Sequence, residues 1–417
     1  MYINRVLTNG IRIVVEKLPE IKSVTLGIWV KAGSVCESTQ NNGISHFIEH
    51  MMFKGTERRS YKQIAEEMDN IGGQLNAFTG KECTCYYAKV IDEKQQVAID
   101  VLCDMLVNSK FDEKEIEKEK GVVIEEIAMN EDDPEDVAHE RLTVNFFKGT
   151  EISKTILGPA DNIRSLTRED IISYLTRNYV AENIVVVAVG NVDVSSLSEE
   201  LENRLGDIPQ SKAGHHEIVP NGWSPSPSFT KISKDTEQVN LCMGIKGYPY
   251  HDKRKYSMSV ISSILGGSMS SRLFQTIREE QGAAYSVYSY PSVFTGAGML
   301  SVYAGTSPEK VETVTRGILK EIKQFSISSE ELANTKEQMR GSFILSQESM
   351  SAKMNAIGKS MLLQNDFLSE EKILSIISEI SMDDIAEAVQ YMFDLSCLTV
   401  VYVGNVSGIS FDINALI

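Results

Sequence analysis

The densest group of chemistry-bearing side chains in this sequence is a pair of histidines four residues apart, His46 and His50, with Glu49 between them. They lie in the stretch Gly43-Ile44-Ser45-His46-Phe47-Ile48-Glu49-His50-Met51-Met52-Phe53-Lys54-Gly55. Ile44, Phe47, Ile48, Met51, Met52 and Phe53 leave little room for a solvated face, so the stretch predicts a short buried helix, with Gly55 placed to end it. At about 100° per residue, His46 and His50 fall roughly 40° apart on one face, and Glu49 about 60° to the other side of His46. Three polar groups on a buried helix are costly unless something holds them together. A zinc ion does that: two imidazoles act as ligands while the carboxylate handles a water proton. The plainer alternative is a pair of satisfied core histidines. The other four histidines, His139, His215, His216 and His251, form no comparable pair.

The order His-x-x-Glu-His is the inverted form of the zinc peptidase helix motif, and such a site needs a third ligand. The segment after Phe111 supplies a candidate. Asp112 with Glu115 three residues on resembles a capping box, and it starts a helix that runs through Glu117, Glu119, Val122, Val123, Glu126 and Ile127. Glu119 and Glu126 are two turns apart and share a face, about 10 Å from each other. Most acids on such a helix are simply solvated. Around Glu126, however, the sequence turns apolar (Val122, Val123, Ile124, Ile127, Met129). A carboxylate there wants a partner, and a metal is a good one.

His46-x-x-Glu49-His50, followed by a glutamate 76 residues beyond the second histidine (50 to 126), resembles the pattern of the pitrilysin and insulinase family of zinc peptidases. Further segments resemble its short-chain branch, typified by the mitochondrial processing peptidase β subunit and its bacterial relatives. They are Phe53-Lys54-Gly55-Thr56, Gly72-Gly73-x-x-Asn76-Ala77, Leu157-Gly158-Pro159 and Asn162-Ile163-Arg164-Ser165-Leu166-Thr167. The resemblance implies one zinc ion per chain, with His46, His50 and Glu126 as ligands, Glu49 as general base and Glu119 as an acid beside the site. It implies that Asn76, Ala77 and Phe78 present an edge strand to an extended peptide. It also implies that Arg278 and Tyr285, in the stretch Ser271 to Tyr285, stabilise the oxyanion that develops on the substrate.

The elements that must position these groups are legible as a duplication. Ile184-Val185-Val186-Val187-Ala188-Val189-Gly190-Asn191-Val192 recurs as Leu398-Thr399-Val400-Val401-Tyr402-Val403-Gly404-Asn405-Val406. Tyr87-Ala88 ahead of Glu93-Lys94 likewise recurs as Tyr303-Ala304 ahead of Glu309-Lys310. An offset of half the chain predicts two similar α+β domains, each a mixed, largely antiparallel sheet with helices on one face. Their expected extents are 1–210 (catalytic) and 229–417 (without metal, enclosing the substrate). The linker 211–228 lies between them, in a stretch where four of the ten prolines fall (Pro209, Pro220, Pro225, Pro227). Where the repeat would put the zinc helix, around Ile261 to Gly267, there is no histidine. Within the first half, Asn9-Gly10 signals a hairpin, Val24 to Val30 and Tyr86 to Val90 read as strands, and so does Gln74 to Thr79. Helices are expected from about Ser60 to Ile71 and from Glu93 to Leu106.

Composition narrows the partners. A net charge of −17 argues against nucleic acid or an anionic membrane surface. No apolar run nears the ~20 residues of a membrane span, and no N-terminal signal is visible. Six cysteines in 417 residues do not form a disulfide framework, which makes a reduced, cytoplasmic setting the expectation. The reading that follows is a zinc metallo-endopeptidase of unfolded or extended peptides. Long-chain relatives join four such domains in one polypeptide and this chain has two, so it also predicts a homodimer in which Arg278 and Tyr285 of one chain serve the zinc site of the other. Two alternatives stay open: a non-catalytic partner subunit, and a zinc hydrolase of a small molecule.

Overall fold

The continuous apolar runs of the first half become the middle of a sheet buried on both faces, as such runs require. The structure, a computed structural model, describes residues 2–210, 217–409 and 411. The strands of the first sheet are β1 (Tyr2–Val6), β2 (Arg12–Lys17), β3 (Ser23–Val30), β4 (Gln74–Thr79), β5 (Thr84–Ile91) and β6 (Ile184–Gly190). Their order is β1-β2-β6-β3-β5-β4. Only β2 and β6 run parallel; the other pairs are antiparallel. The second sheet comprises β7 (Ser228–Ser233), β8 (Val239–Gly247), β9 (Ala284–Val293), β10 (Gly298–Thr306) and β11 (Thr399–Gly404), in the order β7-β11-β8-β10-β9. It also has a single parallel pair, β7 with β11.

Without β1, the two orders are the same. The duplication is therefore visible in topology as well as in sequence, and it extends to backbone detail. Gly190 and Gly404, at the ends of the equivalent strands β6 and β11, have φ of +133° and +136°. A Cβ on either would meet a backbone oxygen, that of Ser23 at 2.1 Å or that of Gln238 at 2.3 Å. Only glycine tolerates both constraints.

Chain contacts divide the molecule into two units, each drawn from both halves of the sequence. The first is Met1–Ile127, Lys154–His216 and Ile344–Phe367; the second is Ala128–Ser153, Glu217–Phe343 and Leu368–Ile417. Two segments thus cross the boundary that the repeat suggests. Of the expected linker, residues 211–216 lie outside the described residues. The expected layer of helices is present on one face of each sheet. In the first unit, Ile44, Phe47, Ile48, Met51, Leu102, Val123 and Leu197 share one core with the inward residues of β3, β5 and β6. The opposite face, built from Val14, Trp29, Cys85, Val185 and Val187, is covered by a helix of the other repeat, Met350–Gln364, through Met354, Ile357, Met361 and Leu362. In the second unit, the helix Pro134–Phe146 plays the same part against β8 and β11. The repeat alone did not predict this reciprocal loan.

Candidate metal centre

The helix carrying the histidines spans Ile44–Met52, beginning after Gly43 at φ +103°. It ends sooner than the sequence suggested: Phe53 caps it through the carbonyls of His50 and Met51, and Gly55 bends the chain beyond it. Seven of its nine residues are buried, including His46. The second contributing element is the helix Glu113–Asp132, whose start Asp112 caps by accepting from the amide of Lys114 at 2.9 Å. β4 runs alongside; it is the last strand of its sheet, so its outer edge has no strand neighbour in that sheet.

These elements bring His46, His50 and Glu126 together, with one ligand atom from each lying within 4.8 Å of the others. Nε2 of His46 is 3.7 Å from Glu126 Oε1, and Nε2 of His50 is 3.4 Å from Glu126 Oε2. Neighbouring ligands of a tetrahedral zinc with bonds of about 2.0–2.1 Å lie roughly 3.3 Å apart, so the set is close to coordinating spacing. Glu119 occupies the far nitrogen of His50, Nδ1, at 2.9 Å. A proton on Nδ1 in that bond leaves the Nε2 lone pair facing Glu126. The two carboxylates that share a face of one helix therefore address the two nitrogens of one ring.

Electrostatics separate the two imidazoles. Burial, helped by the neighbouring His50, pushes the pKa of His46 down to about 4, so it stays neutral at physiological pH. Burial also opposes charge on His50, but the hydrogen bond that it donates to Glu119 and the charges of Glu126 and Glu119 outweigh it and raise its pKa. Glu119 is 4% exposed and pairs with Lys54 at 2.6 Å; its bonds to His50 and Lys54 overcome burial and hold its pKa below the usual range. Glu49 is raised by burial, partly offset by a hydrogen bond donated by the Thr79 hydroxyl. His46 Nδ1 is buried with no hydrogen-bond partner among the described residues. Two neutral-capable imidazoles and one carboxylate, with a buried acid beside them, form a donor set that fits a catalytic zinc.

Thr79 and Lys54 are participants that sequence reasoning missed. Lys54 lies four residues after His50, and that spacing alone could have flagged it. Thr79 ends β4, and nothing in its local sequence marks it.

The remaining expected residues are placed as follows. Asn76 is exposed on β4 and Ala77 is half-buried toward the helices, while Phe78 points to the other face, edge-on to Trp29 at 5.4 Å. In the second unit, Arg278 sits on the π-helical segment Phe274–Glu280 and Tyr285 is the second residue of β9. Tyr285 is 76% exposed. The Arg278 guanidinium lies 4.6 Å from the Phe274 ring centroid, 5.7 Å from that of Tyr285, and 3.9 Å from the Glu279 carboxylate.

Residues 12–160 match the family described as Insulinase (Peptidase family M16), and residues 165–339 match the Peptidase M16 inactive domain. A protein of Bacillus subtilis named uncharacterized zinc protease YmxG is 41% identical over 92% of this chain and 94% of its own length. The chain belongs to peptidase family M16. Another relative, from Rickettsia bellii and also named an uncharacterized zinc protease, is 36% identical over 96% of this M16 chain and 98% of its own length. Among solved structures, a protease from Helicobacter pylori has a TM-score of 0.88 at 20% identity, covering 97% of this chain and 99% of that one. A chain of complex III2 from Candida albicans, solved with Inz-5 bound, has a TM-score of 0.86 at 21% identity, covering 99% and 98%. At such identities the likeness establishes the two-domain M16 fold, and activity has to be argued from the site. No helix among the described residues is long and apolar enough to cross a membrane.

Proposed function

We propose that this M16 chain is a zinc metallo-endopeptidase acting on unfolded or extended peptides. The observation that carries the reading is the convergence of His46, His50 and Glu126 within 4.8 Å, beside the half-buried Glu49. One zinc held there supplies Lewis acidity to a water and to a peptide carbonyl. Glu49 does the proton work: its carboxylate accepts a proton from the water and returns it to the leaving amine. A carboxylate raised by burial suits that role near neutral pH. Glu119 fixes the orientation and tautomer of His50.

The outer edge of β4 at Asn76, Ala77 and Phe78 offers backbone donors and acceptors to an extended peptide, a mode that reads few side chains. Arg278 and Tyr285 serve as donors to the charge that develops on the substrate oxygen. The exposure of Tyr285 supports a role toward something outside its own unit. The active form is a homodimer in which these two residues act on the site of the partner chain. Six free cysteines, five of them buried, support a reducing compartment such as the cytoplasm.

The test is cleavage of an unfolded peptide library by the full-length protein, with and without chelator. Turnover that chelation abolishes and zinc restores is expected. The same sequences inside a stable folded domain should resist cleavage. Absence of turnover in protein verified to hold zinc would end the peptidase reading.

A further inference from the structure

A cavity of about 450 Å3 lies in the first unit beyond the end of the histidine helix, and none of the roles above uses it. The helix Tyr61–Asp69 forms one wall, with Ala65 and Met68, and β4 contributes Leu75; Phe53 completes the apolar lining. The helix Tyr61–Asp69 has a wider apolar face than its core contact needs. Ile64 and Met68 are 2% exposed, whereas Tyr61 is 61% exposed at the cavity mouth and Ala65 is open to solvent. Four of the charges around the rim are paired, Lys118 with Glu115 at 2.5 Å and Lys54 with Glu119 at 2.6 Å, and the exposed Asp69 is the remaining charged group of the lining. The cavity therefore offers apolar bulk with one acid at its solvent edge, which favours an apolar side chain over an acidic one. Its volume lies within the roughly 300–1,000 Å3 of small-ligand sites.

Strand geometry fixes what can reach it. On a peptide added to β4, the residue opposite Leu75 sends its side chain to the face that Leu75 occupies. Leu75 is four positions from Thr79, the residue bonded to Glu49, or about 13 Å at ~3.3 Å per residue. Antiparallel addition, the relation β4 already has with β5, runs the peptide away from Thr79 toward Gln74. The residue beside the cavity is then on the C-terminal side of the cut.

Resting on the peptidase reading above, we infer that this cavity is a specificity subsite for a bulky apolar side chain, aromatic or long aliphatic, at the third or fourth residue after the scissile bond. The zinc-loaded, full-length protein would be given peptides that differ only at those two positions, carrying Phe, Leu, Gly or Asp, with cut sites mapped by mass spectrometry. Phe and Leu peptides should exceed Gly and Asp peptides in kcat/KM by about tenfold or more. Two substitutions at solvent-exposed helix positions read the cavity directly: Ala65→Phe fills it, and Tyr61→Ser strips its outer wall. Each should reduce the ratio between Phe and Gly peptides to about twofold or less. Affinities of the same peptides for Glu49→Gln protein should keep the wild-type ranking. Cleavage with no bias at these positions overturns the subsite and leaves the peptidase reading standing, and so does a bias that both variants preserve. No cleavage of any peptide removes both.

Discussion

The helix Ile44–Met52 in the first unit and the helix Lys255–Gly266 in the second follow equivalent strands, β3 and β8, in the same sheet order. Their buried polar residues differ in how they are satisfied. In the second unit, Ser262 and Ser289 close on each other, with Oγ atoms 3.1 Å apart, and the Ser289 hydroxyl donates to the Ser262 carbonyl at 2.8 Å. Gly266 lets β9 approach closely enough for this, since a Cβ there would meet the Ser289 nitrogen at 2.5 Å. In the first unit, His46 Nδ1 has no partner among the described residues, and both Nε2 atoms face the one carboxylate of Glu126. The fold thus tolerates a fully satisfied version of this helix. The first helix keeps polar groups that its own packing leaves unsatisfied, which supports the chemical rather than the packing reading of the pair.

The largest effect expected separates binding from chemistry within the first unit. Glu49→Gln should keep about one zinc per chain while peptide turnover falls by about 10²–10⁴-fold, because the amide cannot accept the water proton. His46→Ala or Glu126→Gln should lose metal as well, as read by metal analysis. Zinc lost from the Glu49 variant alone, with the Glu126 variant fully loaded, would overturn the ligand assignment.

Next in size is a test of whether the second unit serves a partner. Chains carrying Tyr285→Phe should be impaired, and chains carrying Glu49→Gln inactive. A purified mixed dimer of the two should regain one complete site if the donors act in trans. Turnover no higher than that of the Tyr285→Phe protein alone would sink the trans arrangement.

The two borrowed helices allow a graded comparison of packing. A Cβ at Gly358 would meet the Trp29 ring at 2.2 Å, whereas one at Gly244 would meet the flexible Met299 sulfur at 2.7 Å, with Leu142 and Phe146 of the other borrowed helix at 3.2 and 3.3 Å. Gly358→Ala should cost about 1–3 kcal/mol in denaturant unfolding and Gly244→Ala distinctly less. Equal costs would contradict the rigid contact. Ser262→Ala should cost about 1 kcal/mol and leave turnover unchanged.

The smallest effect concerns pH in the second unit. A hydrogen bond from Lys246 at 2.7 Å, helped by Ser396, holds Asp394 at about 2. A depressed carboxylate stabilises above its ordinary value of 3.8 and loses that contribution as the pH falls from there toward about 2. Asp394 is 42% exposed, so solvent screens the pair and the gain at neutral pH is below about 1 kcal/mol. Asp394→Asn should flatten the acid limb of the stability curve over that window and change little at pH 7.

Much of the site was readable because its signals are local. His46, Glu49 and His50 share one helix. The apolar turn expected around Glu126 is only half present, since Val123 and Ile127 are buried but Val122 and Met129 are 51% and 73% exposed; what distinguishes Glu126 is its place opposite the two imidazoles. The sheet centres were equally plain, since a strand buried on both faces leaves a continuous run such as Ile184 to Val189. What could not be read depends on partners distant in sequence. Met354, Ile357 and Met361 recur at helical spacing, which says that one face is buried but not against what. That their target is Trp29 and Val185, more than 150 residues earlier (354 − 185 = 169), is carried by no local pattern. The early end of the histidine helix has a similar cause: Phe53 packs against the core, so the turn forms before the glycine that sequence rules favour.

The loan of Met350–Gln364 also sets the order of events during synthesis. When residue 216 has left the ribosome, every strand of the first sheet has been made, yet the face bearing Trp29 and Val185 still lacks its cover. The helix that covers it ends at residue 364, about 150 residues later, or roughly 7–30 s at synthesis rates of about 5–20 residues per second. Through that interval the nascent first unit carries an exposed apolar sheet face, the kind of surface that chaperones bind. Completion of the unit that carries His46, His50 and Glu126 is therefore timed by the arrival of the other half of the chain.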